Sequence, residues 1–223
     1  MTVPDRDTLD TFLDAMAPSH TDIQREMADR AAEEGFPIIG RAAGAVLRQL
    51  AATTKAAHIF EFGSGFGYSA SWFAPAMADD GMIVLTEEDA DELALAEGYL
   101  ERAGYAHLTR FEAGDALETV ERYDGPFDVV LIDAHKEQYV DAYDLVREKV
   151  PPGGVIVADN ALTAGEMDTA EIVRAVVEGD DSPDLDPMGD GIRRYLQHIT
   201  DDPAFVTSVL PVGSGLALSV RHR

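Results

Sequence analysis

From His58 onward, short apolar runs alternate with segments of helical spacing, and few folds accept that order. The runs at 58–62, 82–86, 108–112, 127–132 and 155–158 read as strands. Between them, 69–77, 89–103, 115–121 and 137–150 read as helices. Strands joined by helical crossovers of this length specify a parallel sheet covered on both faces. The end of the chain differs. There 205–210 and 216–220 flank Pro211-Val212-Gly213-Ser214-Gly215, which predicts an antiparallel pair closing one edge. Ahead of the sheet, apolar spacing predicts helices at 8–16, 21–34 and about 39–52. Pro18-Ser19 separates the first two, and Gly35-Phe36-Pro37 breaks the second. Residues 179–190, rich in Asp, Pro and Gly, predict a mobile loop. At 223 residues the chain suits one sizeable α/β domain rather than two.

The first strand runs into Gly63-Ser64-Gly65-Phe66-Gly67-Tyr68-Ser69. Glycine at every second position lets the backbone bend sharply and approach a ligand with no Cβ in the way. A helix following such a loop offers N–H groups and a positive dipole end to an anion. One glycine loop is a weak signal. Here an acid, Glu87, follows the second strand, at the position that holds a nucleoside ribose in such folds.

Charge narrows the choice of partner. The chain carries 42 acids against 17 Lys and Arg, a formal net charge of −25. Only Lys55, Lys136 and Lys149 represent lysine, whereas acids recur throughout, as in Asp79-Asp80, Glu87-Glu88-Asp89 and Asp201-Asp202. Such a surface repels itself in dilute buffer. At about 1 M salt the screening length falls to about 3 Å, so the dispersed acids predict adaptation to molar salt. No basic stripe is available to neutralise phosphates, which disfavours nucleic acid. No apolar run reaches bilayer length, the first residues lack a signal-peptide layout, and there is no cysteine. A cytoplasmic, soluble protein is the expectation.

Chemistry concentrates after strands four and five. Asp133 follows the fourth strand in Leu131-Ile132-Asp133-Ala134-His135-Lys136, and Asp159-Asn160 follow the fifth. Ligands of doubly wound sheets sit outside the carboxyl ends of strands. If these two strands are neighbours, two carboxylates and an amide oxygen converge, a hard-oxygen set suited to Mg²⁺. The plain alternative makes Asp133 a helix cap and Asp159-Asn160 a turn. Lys136 follows Asp133 by one turn, and a lysine beside a divalent cation can act as a general base. A surface lysine in a first helical turn is the competing reading. Asp115 reads as a helix cap or an adenine neighbour, which are compatible roles. Glu61 reads as a strand-end acid satisfied by backbone N–H groups or as a partner for an ammonium.

Together these motifs resemble the cation-dependent, S-adenosylmethionine-dependent O-methyltransferases, the group containing catechol and caffeoyl-CoA O-methyltransferases. The likeness runs from Phe36 to the C-terminus. Gly67-Tyr68-Ser69 within the glycine loop looks like the first motif of that family, and Ile83-Val84-Leu85-Thr86-Glu87 like its second. Asp133-Ala134-His135-Lys136 and Gly153-Gly154-Val155-Ile156-Val157-Ala158-Asp159-Asn160 are similar to the metal and base motifs. Leu210 to Leu216 is similar to the closing hairpin.

The resemblance implies a Rossmann-like class I methyltransferase fold: a mostly parallel seven-stranded sheet with an antiparallel edge hairpin and N-terminal helices. It implies one domain over 1–223, in which 1–55 contributes to the active-site cover and 56–223 forms the cofactor-binding core. Glu61, Gly63 and Ser69 would hold the methionine part of S-adenosylmethionine, with Ile39 near the sulfonium and His135 as a further contact. Glu87 would take the ribose hydroxyls, and Asp115 with Ala116 would border the adenine. Asp133, Asp159 and Asn160 would ligate Mg²⁺ (or Mn²⁺ or Ca²⁺), and Lys136 would receive the acceptor proton. The acceptor implied is a small molecule with adjacent hydroxyls, and pairing into homodimers is expected. His135 stands where many members carry aspartate, and the stretch after Asn160 lacks the bulky aromatic often found there. Three other readings compete: methylation of a hydroxylated tRNA base on the same fold, a nicotinamide dehydrogenase, and a cofactor-binding module without catalysis. The dehydrogenase predicts Gly-x-Gly-x-x-Gly, but Tyr68 occupies the last glycine position. The non-catalytic module leaves Asp133, Asp159, Asn160 and Lys136 unexplained.

Overall fold

Strand β1 (His58–Phe62) lies at the centre of the sheet, paired in parallel with β2 (Met82–Glu87) on one side and β4 (Val129–Ile132) on the other. The computed structural model describes residues 5–164, 169–178 and 185–222. With β3 (Thr109–Ala113), β5 (Val155–Ala158), β6 (Phe205–Leu210) and β7 (Leu216–Arg221), seven strands take the order β3-β2-β1-β4-β5-β7-β6. The first five are parallel, and β7 runs antiparallel to both β5 and β6. The expected mostly parallel sheet with an antiparallel edge pair is therefore present.

Helices cover both faces. On one, α2 (Asp22–Glu34), α3 (Gly40–Thr54), α4 (Tyr68–Phe73) and α5 (Ala90–Arg102) bury Met27, Leu47, Trp72 and Leu100 against Ile59, Leu85 and Leu131. On the other, α6 (Ala116–Val120), α7 (Tyr139–Val146), α8 (Thr169–Val173) and α9 (Pro187–Thr200) cover Phe60, Phe62, Val130 and Ile156. Alternate strand residues thus enter opposite cores, as the period of a strand requires. Helix α1 (Arg6–Met16) buries none of its side chains. Thr21 caps α2 reciprocally with Gln24, and Gly35, in the left-handed region, ends it.

Several boundaries differ from the sequence reading. Strand β4 starts at Val129, not at 127, because the Phe127 N–H turns to the Lys149 carbonyl at 2.8 Å instead of a strand neighbour. The helix expected at 137–150 opens as a 3₁₀ turn, Lys136–Gln138. It closes at Val146, whose carbonyl accepts from the Lys149 N–H at 2.7 Å. Helix α9 was not anticipated. Of the mobile loop expected at 179–190, residues 179–184 lie outside the described residues, while 187–190 form the first turn of α9. The Asp186 carboxylate accepts from the Gly189 N–H at 2.6 Å, and Pro187 occupies the first turn, where its missing N–H costs nothing. Among the described residues, no helix is long and apolar enough to cross a membrane.

Candidate active site

The sheet order reverses between β1 and β4, and a cavity of about 400 Å³ opens beside their carboxyl ends. Gly63 ends β1 with φ +78°, and a Cβ there would lie 2.4 Å from the Asp133 carbonyl oxygen. Only glycine lets the two strand tips approach so closely. The loop then turns across the end of β2. The N–H groups of Gly65 and Asp89 donate to the Glu87 carboxylate at 2.8 and 3.1 Å, fixing that acid at the cavity wall. Ser69, in the first turn of α4, also lines the cavity.

Parallel pairing of β4 with β5 sets Ile132 opposite Ala158. The next residues, Asp133 and Asp159, therefore leave adjacent strand tips side by side, and Asn160 follows at φ +61°. All three line the cavity with Lys136. Asp159 is buried, its Oδ1 has no hydrogen-bond partner, and its pKa is pushed up to about 7 by burial first and by Asp133 second. An unpartnered buried carboxylate oxygen facing a second carboxylate is unfavourable alone and is relieved by a cation. The set fits a hard divalent ion such as Mg²⁺. Among the described residues, no three His, Cys, Asp or Glu side chains group as a metal site; the convergence is of two carboxylates and one amide.

Lys136 is 7% exposed. Its Nζ donates to Asp133 Oδ1 at 2.9 Å and to the Tyr139 hydroxyl at 2.8 Å, and it stands 5.0 Å from the centroid of the Tyr139 ring. Its backbone is pressed by α9: a Cβ on Gly191 would lie 2.4 Å from the Lys136 carbonyl oxygen.

Of the other anticipated residues, Ile39, Ala116 and His135 line the same cavity. The His135 ring is largely exposed, 3.6 Å from Glu88. Asp115 does not line it: its carboxylate caps α6, accepting from the Leu117 N–H at 2.6 Å, while Gly114 and Ala116 on either side do. Glu61 does not line it either. It is wholly buried on the Ile59 face of β1, and burial, with a smaller push from Asp133, drives its pKa up to about 8. Ser69 opposes that shift without reaching hydrogen-bond geometry, so neither Glu61 oxygen has a partner. The backbone N–H groups anticipated around Glu61 are not there.

Sequence reading missed Tyr139, Gly191 and Met188, the last a cavity residue on α9. Tyr139 had a signal: it follows Lys136 by one turn. Tyr68 lines the cavity and shares a 2.9 Å hydrogen bond with His20. Asp190, close to Met188 on α9, does not line the cavity and pairs with Arg193 at 2.6 Å.

Comparison with known proteins places the chain. The sequence model of the O-methyltransferase family matches residues 19–222. A catechol O-methyltransferase of Niastella koreensis is 29% identical over 179 residues, spanning 78% of this chain and 81% of that protein. Caffeoyl-CoA O-methyltransferase 2 of Petunia hybrida is 27% identical over 223 residues, spanning 92% and 85%. Among solved structures, the O-methyltransferase TomG of Streptomyces achromogenes, in complex with SAM, superposes with a TM-score of 0.83 at 24% identity, covering 99% of this chain and 100% of that one. An O-methyltransferase of Bacillus cereus, in complex with SAH, gives 0.80 at 24% identity, covering 97% and 100%. Likeness at that identity speaks to the fold. With the family match over nearly the whole chain, it follows that this protein belongs to the O-methyltransferase family and is a methyltransferase.

Proposed function

We propose that this chain moves a methyl group from S-adenosylmethionine to one hydroxyl of a small catechol-like diol, with Mg²⁺ (or Mn²⁺ or Ca²⁺) held by Asp133, Asp159 and Asn160. The observation that carries the reading is the pairing of Ile132 with Ala158, which sets this oxygen cluster and Lys136 in one cavity with Gly63, Ser69 and Glu87. When bound, the cation supplies charge that orients a diol and acidifies one hydroxyl. The donor supplies an electrophilic sulfonium methyl.

The chain's own groups do the remaining work. Glu87, held by two backbone N–H groups, presents acceptor lone pairs to ribose hydroxyls. Glu61 does not line the cavity but lies next to the cavity residue Ser69, from where its carboxylate would serve the ammonium of the methionine part. Ala116 and Gly114 leave room for a flat base, and Ile39, nine-tenths buried, keeps water from the transfer line. Lys136 Nζ takes the acceptor proton. Helices α1–α3 serve as the cover, contributing Phe36, Pro37, Ile38 and Ile39 to the wall through the segment between α2 and α3.

Of the acceptor classes named among relatives, a free diol suits this chain better than a coenzyme A ester. The chain carries 42 acids against 17 Lys and Arg, and a polyphosphate tail would meet like charge. The absence of cysteine accords with a cytoplasmic setting, and the family likeness supports a homodimer.

The test is methyl transfer to catechol in molar KCl. Chelation, or Asp133→Ala, is expected to lower turnover roughly 10²- to 10³-fold. Full activity after either treatment would remove the cation from the reaction.

A further inference from the structure

We propose that Tyr139 is a positioning residue for the transfer, acting through Lys136 by fixing the direction in which Nζ meets the acceptor hydroxyl. The inference rests on the reading of Lys136 as the proton acceptor. A tetrahedral amine nitrogen has one position bonded to Cε and three others. Asp133 Oδ1, at 2.9 Å, occupies one and the Tyr139 hydroxyl, at 2.8 Å, a second. One position remains, and Lys136 is a cavity residue. With both neighbours in place, the one open side of Nζ is the side on which it meets the acceptor hydroxyl. Without the Tyr139 oxygen, Nζ rotates about one anchor, and that open side meets the acceptor only in a fraction of orientations.

Tyr139 is suited to hold rather than to react. It is fully buried, and burial, with Asp133 and Asp159 nearby, raises its phenol well above the ordinary value, so it stays neutral and accepts from Nζ. Its ring packs edge-on against Tyr195 at 5.4 Å, and α9 presses on the Lys136 carbonyl through Gly191. The phenol oxygen is therefore a fixed point. A buried tyrosine that served only as packing would be replaceable by phenylalanine with no effect on the chemical step.

The experiment uses the full chain in molar KCl with Mg²⁺ and catechol, comparing wild type, Tyr139→Phe, Lys136→Met and the double variant by single-turnover methyl transfer. Tyr139→Phe is expected to slow transfer roughly 10- to 100-fold, since it misaligns the reacting groups. Acceptor KM and S-adenosylhomocysteine affinity should stay within about threefold, marking a loss confined to the transition state. In the Lys136→Met background the same substitution should change the rate less than about twofold, because the pair acts as a unit. That background also removes the N–H that phenylalanine would leave without its second partner, so the double variant keeps the test open if the single one folds poorly. Wild-type-like transfer in Tyr139→Phe, or losses that multiply in the double variant, would overturn the inference alone. Full activity in Lys136→Met, or none in wild type, would overturn the reading of Lys136 and this inference together.

Discussion

Glu61 carries a proton that the unfolded chain does not. It is fully buried, both oxygens lack partners, and its pKa stands near 8 against an ordinary 4.5, with burial the main cause. Between those values the native state binds the extra proton, so unfolding stability falls as pH rises. The contribution is complete below the unfolded value and is lost as pH climbs through the folded one. Glu61→Gln should therefore flatten the decline of the unfolding midpoint of the ligand-free protein between pH 5 and 9. A ligand ammonium reverses the preference by favouring the carboxylate. S-Adenosylhomocysteine binding should release a proton near pH 7 and tighten by up to about tenfold for each unit that pH rises toward 8. Glu61→Gln should weaken it roughly 10- to 100-fold, the worth of a charged hydrogen bond, and abolish the slope. Calorimetry in buffers of different ionisation enthalpy reads both. Proton-neutral binding in wild type would remove Glu61 from the cofactor contact.

At the scale of elements, the proton acceptor depends on how α9 sits against the turn that carries it. Alanine usually stabilises a helix over glycine by about 1 kcal/mol. At Gly191 the direction reverses, because the added carbon would sit 2.4 Å from the Lys136 carbonyl oxygen, and backbone must move. Gly191→Ala is expected to cut turnover roughly tenfold or more through displacement of Lys136. Cofactor affinity should hold, since Gly65 and Glu87 belong to other elements; steady-state rates and binding isotherms separate the two. The parallel strands and the acids at their tips were legible because buried strands are short apolar runs that end in Asp or Gly. Which tips are neighbours was not: Asp133 and Asp159 meet only because β5 pairs with β4, a non-local choice. Helix α9 escaped notice because Gly189 and Gly191 weaken its opening turns. Its signals lay in the Asp186-Pro187 cap and in the helical spacing of Ile192, Tyr195, Leu196 and Ile199. The reason for Gly191 was invisible, as it lies in a contact with a distant turn, and the Tyr139 anchor was missed because a tyrosine one turn after a lysine reads equally well as packing.

For the molecule as a whole, 42 acids against 17 bases must be held in one folded surface. Helix α2 shows the problem locally: Asp22, Glu26, Asp29, Glu33 and Glu34 share one concave face with Arg25 and Arg30, and Arg102 of α5 pairs with Glu26. At 0.1 M salt charges interact over about 10 Å, so such neighbours repel; at 1 M that reach is about 3 Å. We therefore expect the unfolding midpoint to rise steadily from 0.1 to 2 M KCl. Recovery of roughly 3 kcal/mol of self-repulsion corresponds to about 6–12 °C for a chain of this size. A local acidic docking face would behave differently, responding to one partner and saturating at modest salt. Buried groups at the cavity, such as Lys136 and Asp159, are screened much less than surface charges. Salt should therefore govern how much of the protein is folded, while turnover per folded molecule changes little. Parallel measurement of the midpoint and of active-site-titrated turnover across KCl tests both halves of the argument, and a midpoint that falls with KCl would refute salt adaptation.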